Sequence, residues 1–457
     1  MYGPNVEIMP NKVAQVNRSG GRAGLADFRP EIGLVLLLCA YCAALFLSLI
    51  QTADAFPGII TFRPSGAFAA ALGSACFGLL AICFATAKFS FGYFLGFYFY
   101  TMIFGYVSFV RFSELSYDHR LAVVSIVLSC IAFLAPALFL TSPIKRTFEW
   151  PKRRFDLLPS LILLLAAAIL AAGALHNFKP ASFSEMYKFR GQTQLPAWLR
   201  YATGISVGAL LPFAFACFVE RKRYLQAAIA LLALMLMYPV TLTKLTMFAA
   251  PWLLFLAVLS GMLAPRPAVI LSLLLPLSLG LALPFLMQAG VVPTQLGLIF
   301  VGTVGSRMIA LPAIALDAYN EFFARHVPTY FCQINLLKLV MACPYDEPLS
   351  IVMSKAYNLG NLNASLFATE GIASVGALWA PLSALACGVI IGFANRLSTG
   401  LPATFVIVSG GMLPHLLLNV PLSTSLLSNG AALLFLLWYI TPRSVFAEQD
   451  EKPTPVP

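Results

Sequence analysis

Charge is scarce in this sequence: Asp, Glu, Lys and Arg make up 10% of its 457 residues, while 60% are hydrophobic. A water-soluble fold of that length needs far more polar surface, so a soluble globular protein is excluded and the solvent is lipid. Motifs that announce familiar chemistry are missing as well. There is no P-loop, no dinucleotide fingerprint, no His-Glu-x-x-His, no pair of Cys-x-x-Cys motifs and no lipase elbow. Histidine occurs four times, widely separated, which argues against a metal site, and nothing calls for a cofactor. The net charge of +11 is assigned to membrane orientation and attraction to anionic lipid, not to nucleic acid.

What is abundant is apolar sequence in runs of about 20 residues, each long enough to cross a hydrocarbon core as a helix. The reading is an all-α membrane protein of about twelve transmembrane helices: Ile32 to Ile50, Phe68 to Ala87, Phe89 to Phe109, Leu121 to Leu140, Leu157 to Leu175, Tyr201 to Phe218, Leu225 to Thr241, Leu245 to Leu263, Ala268 to Gln288, Ser374 to Ala394, Leu401 to Val420 and Ser425 to Ile440. Almost nothing separates the two runs around Lys88, where a re-entrant hairpin is the alternative to two spans. Short cytoplasmic loops retain Lys and Arg. With the N-terminus inside, 17 of the 29 basic residues fall on the cytoplasmic side, and eight of the remainder lie in two long external loops. Both termini are therefore expected in the cytoplasm: a polar, Gly- and Arg-rich tail over 1–31, and a disordered Pro-rich tail over 442–457.

Seven of nine cysteines fall within expected spans as small buried hydrophobes. Cys332 and Cys343 lie in an external loop, where an oxidising compartment permits a disulfide. A continuous helix between them would hold their Cα atoms roughly 16 Å apart, beyond the reach of a disulfide, so helix and bridge exclude each other.

Ion-driven transporters place ionisable groups near the bilayer midplane, and none is evident here. The polar residues gather instead in the loops at 176–200 and 290–373, and long loops in a chain this sparing of them are usually functional. The first carries Lys179, Lys188, Arg190 and Arg200 against the single acid Glu185. Such a cluster suits a phosphate or diphosphate at the membrane surface; the competing reading is that these side chains snorkel to headgroups. Arg190, flanked by aromatics and followed by Gly191, is the leading candidate. Lys244 ends the turn Tyr238-Pro-Val-Thr-Leu-Thr-Lys, at the external end of a helix, where an anion or simple snorkelling would explain it.

In the second loop a helix is expected from Ala313, with Asp317 and Glu321 on one face and Arg325 one turn beyond Glu321. Glu321 and Arg325 satisfy each other, whereas Asp317 lies on an apolar stretch that would raise its pKa and suit it to act as a general base. His326 is the other candidate base, or else a solvated helix-end imidazole. The amide-rich stretch around Asn363 suits sugar hydroxyls or ordinary turns, and Asn363-Ala-Ser formally matches an N-glycosylation acceptor.

This layout resembles the bacterial O-antigen and capsule polysaccharide polymerases of the Wzy type. The resemblance rests on twelve spans with enlarged periplasmic loops after the fifth and ninth, the Tyr-x-x-Arg of Tyr187 and Arg190, and the Thr-x-Thr-Lys turn at Lys244. It rests also on Ser-Arg at Arg307, followed by Asp317-x-Tyr319 and Phe322-Phe323, and on Asn363-Ala. Some members carry Gly eleven positions after the loop arginine; neither Arg190 nor Arg307 has it. The resemblance implies a metal-independent, inverting glycosyltransferase of the bacterial inner membrane that joins polyprenyl-diphosphate-linked oligosaccharides on the periplasmic face. Arg190, Arg307, Lys244 and Lys188 would then bind the diphosphate, Tyr187, Tyr319 and Asn363 the sugars, and Asp317 or His326 would serve as base. Expected partners are the lipid-linked oligosaccharide, the bilayer, and a chain-length regulator and flippase of the same pathway. O-antigen ligase chemistry on another acceptor, a lipid-linked oligosaccharide flippase and an export component remain as alternatives.

Overall fold

The computed structural model describes residues 29–447 other than 183–184, 187–188, 190–194, 335–336, 338–339, 360–361 and 363–366, and leaves out the side chains of Arg29, Pro30, Asp54, Arg307, Met308 and Ala447. Most of both expected tails therefore lies outside the described residues.

Every regular element among the described residues is helical. Ten helices are long and apolar enough to cross a bilayer: α1 (Glu31–Thr52), α2 (Pro64–Thr86), α3 (Phe91–Phe112), α4 (His119–Phe139), α5 (Lys152–His176), α6 (Ala197–Glu220), α7 (Tyr224–Thr241), α8 (Lys244–Met262), α9 (Pro265–Gln288) and, after a stretch of shorter helices and loop, Ala368–Ser398. The two runs around Lys88 are separate full-length helices, with Ser90 capping the second by accepting from Tyr93 N at 3.1 Å.

Between the ninth and tenth of these lies α10 (Thr294–Phe300), a π-helical stretch (Val301–Ala310) and α11 (Leu311–Arg325). Their axes bend by 46°. This segment begins where α9 ends, and its last residue, Arg325, donates to Ser116 O at 3.0 Å, just beyond α3. At the start of α9, Arg266 donates to Ala85 O at 2.9 Å, beside the start of α3. Both ends of the bent pair therefore lie at the same end of the bundle, and it does not cross. After α12 (Leu349–Tyr357), Ala368–Ser398 forms α13, which is broken at Gly376 (φ 78°).

The last two runs expected to span are each interrupted. The first becomes α14 (Ala403–Ser409) and α15 (Leu413–Leu417), the second α16 (Leu422–Leu427) and α17 (Ala431–Ile440). The breaks fall at Gly410-Gly411 and at Gly430, whose φ of 79° favours glycine. Polar groups freed by a break inside a bundle need new partners. Trp252 Nε1 donates to Gly411 O at 3.0 Å, and beside the same break Trp438 Nε1 donates to the Ser409 side-chain hydroxyl at 2.9 Å.

Helix α3 is buried on every side, as an all-round apolar helix should be. Its hydroxyls tie it to its neighbours. Thr101 bonds Tyr41 of α1 at 2.5 Å, Ser108 bonds Ser74 of α2 at 2.8 Å, and Tyr98 bonds Ser272 of α9 at 2.8 Å.

The most extensive interface joins α4 and α13. Ala380, Ala384, Gly388 and Gly392 repeat every fourth residue along one buried face of α13, the small-residue stripe that lets helix backbones approach in lipid. A Cβ at Gly388 would lie 2.4 Å from Phe133 O, and one at Gly392 2.9 Å from Pro136 O. Three residues on, Asn395 Nδ2 donates to Ala137 O at 2.7 Å while its Oδ1 accepts from Gly92 N at 2.6 Å, so one amide joins α4, α13 and the start of α3. At this end Arg443 donates to the carbonyls of Leu397, Trp438, Thr399 and Thr441, and Arg146 to those of Thr399 and Thr441, so two cations cap the C-termini of α13 and α17.

Gly388→Ala is expected to cost about 1–3 kcal/mol by overpacking, seen as a lower thermal midpoint in detergent, whereas Gly73→Ala, where a Cβ meets nothing within 4 Å, should leave the midpoint unchanged. Equal midpoints for the two variants would show that the α4–α13 contact does not limit stability.

Candidate functional site: a carboxylate in a hydroxyl cage

Helix α11 docks closely on α3. At Gly105 an added Cβ would come within 3.2 Å of Ala313 Cβ. One turn beyond Ala313, Asp317 meets the segment that follows α3. That segment is held in place by the loop after α1, with Thr61 N donating to Phe112 O at 2.9 Å and Glu114 N to Ile59 O at 2.8 Å. Arg63 of the same loop pairs with Glu114.

Ser113 Oγ donates to Asp317 Oδ2 at 2.6 Å, and Tyr117 OH donates to Oδ1. Because the Tyr117 proton is engaged with Asp317, Tyr106 OH, 2.9 Å away, is the donor to Tyr117 oxygen. The result is a chain, Tyr106 to Tyr117 to Asp317. The His119 ring lies against Tyr117 with centroids 4.2 Å apart, and its Nε2 is 2.9 Å from Leu115 O. Asp317 is only 2% exposed. Burial pushes its carboxyl up to about 6, against the opposing effects of the Ser113 and Tyr117 hydrogen bonds and nearby His119, with Glu321 adding to the rise. Burial and the Asp317 charge also raise the Tyr117 phenol well above its usual value, so it stays protonated.

One turn along, Glu321 pairs with Arg325 at 2.9 Å, the pairing expected from their spacing, and also accepts from Tyr357 of α12. Tyr319 is buried, its OH 3.5 Å from Leu362 O, with Glu370 near enough to add to the rise in its pKa. Glu370, in the first turn of α13, accepts from Leu422 N at 3.4 Å. Three carboxylates and four tyrosines thus lie on or beside α11.

The two candidate bases do not form a pair. His326 ends α11 nine residues after Asp317, about 13 Å along the helix. It is exposed, stacks on Phe322 at 3.8 Å, and its Nδ1 is 2.8 Å from Phe322 O. Lys244 opens α8 behind an N-cap at Thr243. The turn before it is packed by the first loop: Lys179 N donates to Pro239 O at 3.0 Å, Asn177 Nδ2 to Val240 O at 2.8 Å, and Tyr238 OH to Ala181 O at 2.8 Å. The loop and the Lys244 turn, separate candidates in sequence, are therefore one structure. Lys179 lies over the Phe189 ring at 5.3 Å. Tyr187, Lys188, Arg190 and Asn363 lie outside the described residues, as does the side chain of Arg307, whose backbone belongs to the π-helical stretch.

The second loop is tied down. Cys332 and Cys343 form a disulfide with Cα atoms 5.2 Å apart, which decides between bridge and continuous helix in favour of the bridge. Thr329 N and Tyr330 N donate to Ala373 O and Ser374 O at 2.8 and 3.0 Å, anchoring the loop on α13.

Sequence reasoning passed over Ser113, Tyr117 and His119 because their segment reads as a bare connector between two spans; the polar run Ser-Glu-Leu-Ser-Tyr-Asp-His was the available signal. It also passed over His415, an ionisable group inside an expected span, which the structure packs edge-on against Trp252 and Tyr98 at 4.9 and 5.8 Å. No group of three His, Cys, Asp or Glu able to hold a metal occurs among the described residues. No family model, curated protein or solved structure matches this chain.

Because the folded state holds the Asp317 proton up to about pH 6 and the unfolded state releases it near 4, stability falls as pH rises through that interval. The thermal midpoint should fall more steeply between about pH 4 and 6 in wild type than in Asp317→Asn, and infrared difference spectra should show a protonated carboxyl band lost near pH 6 in wild type only. Parallel curves would place the titration elsewhere. Cys332 and Cys343 should resist a membrane-impermeant maleimide until reduced; labelling before reduction would refute the bridge.

Proposed function

We propose that this chain joins polyprenyl-diphosphate-linked oligosaccharide repeat units into a surface polysaccharide, in a bacterial cytoplasmic membrane with the loop-bearing end of the bundle facing the periplasm. The observation that carries the reading is Asp317: a buried carboxyl with its pKa near neutrality, lined by hydroxyls, on a helix that returns to the end of the bundle bearing the first loop and Lys244. A lipid-linked sugar presents its diphosphate at that level while its tail stays in the bilayer.

In this reading the acceptor hydroxyl attacks the anomeric carbon from the side opposite the diphosphate. The new glycosidic bond forms as the bond from carbon to diphosphate oxygen breaks, and the configuration inverts. The hydroxyl proton passes to Tyr117 oxygen as Tyr117 gives its own to Asp317, so the buried acid acts through the half-exposed phenol and no phenolate accumulates. Negative charge builds on the departing polyprenyl diphosphate, and Lys244, with Lys188, Arg190 and Arg307, supplies the counter-charge without a metal. Tyr187, Tyr319 and Asn363 are assigned to the sugars. The carboxylates of the ten spans, Glu31, Asp156, Glu220 and Glu370, all lie near helix ends, an arrangement that favours this over a flippase, which needs charge along its path.

The test is purified protein with a synthetic polyprenyl-diphosphate oligosaccharide, read as a product ladder. Asp317→Asn should reduce the rate at least about 100-fold and Tyr117→Phe about 10-fold, as for loss of an acid-base group. The wild-type rate should rise with pH through about 6, as Asp317 deprotonates. A full-rate Asp317→Asn enzyme would remove the acid from the mechanism, and transfer to a different acceptor without a ladder would redirect the reading to ligase chemistry.

A further inference from the structure

The opposite end of the bundle carries a second charged structure, unconnected with the chemistry above. Helix α5 opens with Lys152-Arg153-Arg154, has no acid in its first turn, and is capped at Pro151 by no side chain. A helix N-terminus is already the positive end of the peptide dipole, so three cations there have the wrong sign for helix stability and call for an anion. The α6–α7 turn, Arg221-Lys222-Arg223, meets this terminus: Arg221 Nη2 lies 3.1 Å from Asp156 Oδ1. Lys222 adopts φ 56°, which folds the turn back so that Arg223 N donates to Phe218 O at 2.9 Å.

The two segments, joined through Arg221, carry six cations against two acids, Asp156 and Glu220, leaving a positive excess. Arg153, Arg154, Lys222 and Arg223 are exposed. Arg221 is not: its side chain is 9% exposed, its guanidinium sits 5.2 Å from the centre of the Phe155 ring, and neither terminal nitrogen makes a well-aligned hydrogen bond among the described residues. Apart from the Asp156 carboxylate, the terminal nitrogens of this buried guanidinium have no acceptor among the described residues.

The surface beside the cluster identifies the ligand. Immediately along α5, Leu157, Leu161 and Leu164 are 62%, 58% and 68% exposed, and on α7 Leu225 is 76% exposed. Cations at the rim of an apolar, outward-facing wall match a molecule with a phosphate at one end and hydrocarbon at the other.

We propose that the N-terminus of α5 and the α6–α7 turn form a binding site for the phosphodiester headgroup of an anionic phospholipid, whose acyl chains lie along the leucines of α5. Arg153, Arg154 and Arg223 hold the phosphate, and Arg221 supports the site from beneath.

The experiment is native mass spectrometry of the full chain in detergent, titrated with dioleoyl-phosphatidylglycerol, with dioleoyl-phosphatidylcholine and with inorganic phosphate. Wild type should bind phosphatidylglycerol roughly tenfold or more tighter than phosphatidylcholine, given the attraction of several basic residues. Arg153→Gln/Arg154→Gln/Arg223→Gln should reduce that preference to about twofold, while Arg111→Gln/Arg120→Gln/Lys355→Gln, which removes as much charge at the other end, should keep it. Loss of preference in both triple variants would reduce the effect to net charge and overturn the site, as would equal affinity for the two lipids in wild type. Displacement of phosphatidylglycerol by millimolar phosphate would overturn the assignment to a lipid, because the leucines would then contribute nothing. Should the first triple variant fail to fold, the wild-type preference measured at rising salt decides the matter: it should shrink, and a preference indifferent to salt would overturn the site.

Discussion

Helices surrounded by lipid gain little from burying apolar surface against one another, so their association depends on close packing and on hydrogen bonds. In this protein the contact between α4 and α13 meets that requirement most fully, and much of the remaining architecture hangs from it. Gly388 and Gly392 let the backbones approach until a side chain has no room. Asn395 then bonds both to the end of α4 and to the start of α3, which fixes the central helix relative to the pair. At the other end of α13 the backbone breaks at Gly376, and its first turns fold back so closely that a Cβ at Gly371 would lie 2.9 Å from Ala380 Cα. Phe367, just before that turn, stacks on Phe133 of α4 with ring centroids 4.8 Å apart.

The candidate site follows from this frame. With α3 fixed, α11 docks at Gly105, and the distance from Ala313 to Asp317 along the helix brings the carboxyl level with Ser113 and Tyr117. Neither hydroxyl is near Asp317 in sequence; the separations are 204 and 200 residues. An ionised carboxylate this deeply buried would be costly without donors, and with two hydroxyl donors it stays close to the balance between its protonated and ionised forms. That balance, not an unusual residue, makes the position suited to proton transfer. The π-helical stretch ahead of α11 adds a widened turn of the kind frequently found at functional sites, and it contains Arg307.

The two ends of the bundle manage charge differently. At the loop-bearing end, carboxylates and phenols cluster around α11. At the other, arginines cap helix C-termini through main-chain carbonyls, as Arg146 and Arg443 do, or crowd the uncapped start of α5. The first arrangement neutralises helix dipoles and fastens α13 to α17. The second leaves positive charge unneutralised at the edge of an apolar wall, and so the two groups of arginines, alike in the sequence, have different consequences.

Composition and run length were enough to establish a helical membrane protein, most of its spans, and the gathering of polar candidates in two loops, because a segment's affinity for lipid is a local sum over its own residues. The pairing of Glu321 with Arg325 was legible for the same reason, since it spans one helical turn. The breaks near Gly410 and Gly430 were not, because an apolar run reads alike whether its backbone bonds continue or a carbonyl such as that of Gly411 takes a side-chain donor, Trp252, instead. The disulfide was open in the sequence, which allowed either a helix or a bridge; the folded loop, anchored on α13, brought the two cysteines together. Asp317 could be singled out from its apolar surroundings, but its cage could not, since Ser113, Tyr117 and Tyr106 meet it only through long-range packing of α11 on α3. Local composition determined what this chain is made of and where it resides; contacts between residues hundreds of positions apart decided which of its few polar groups face one another.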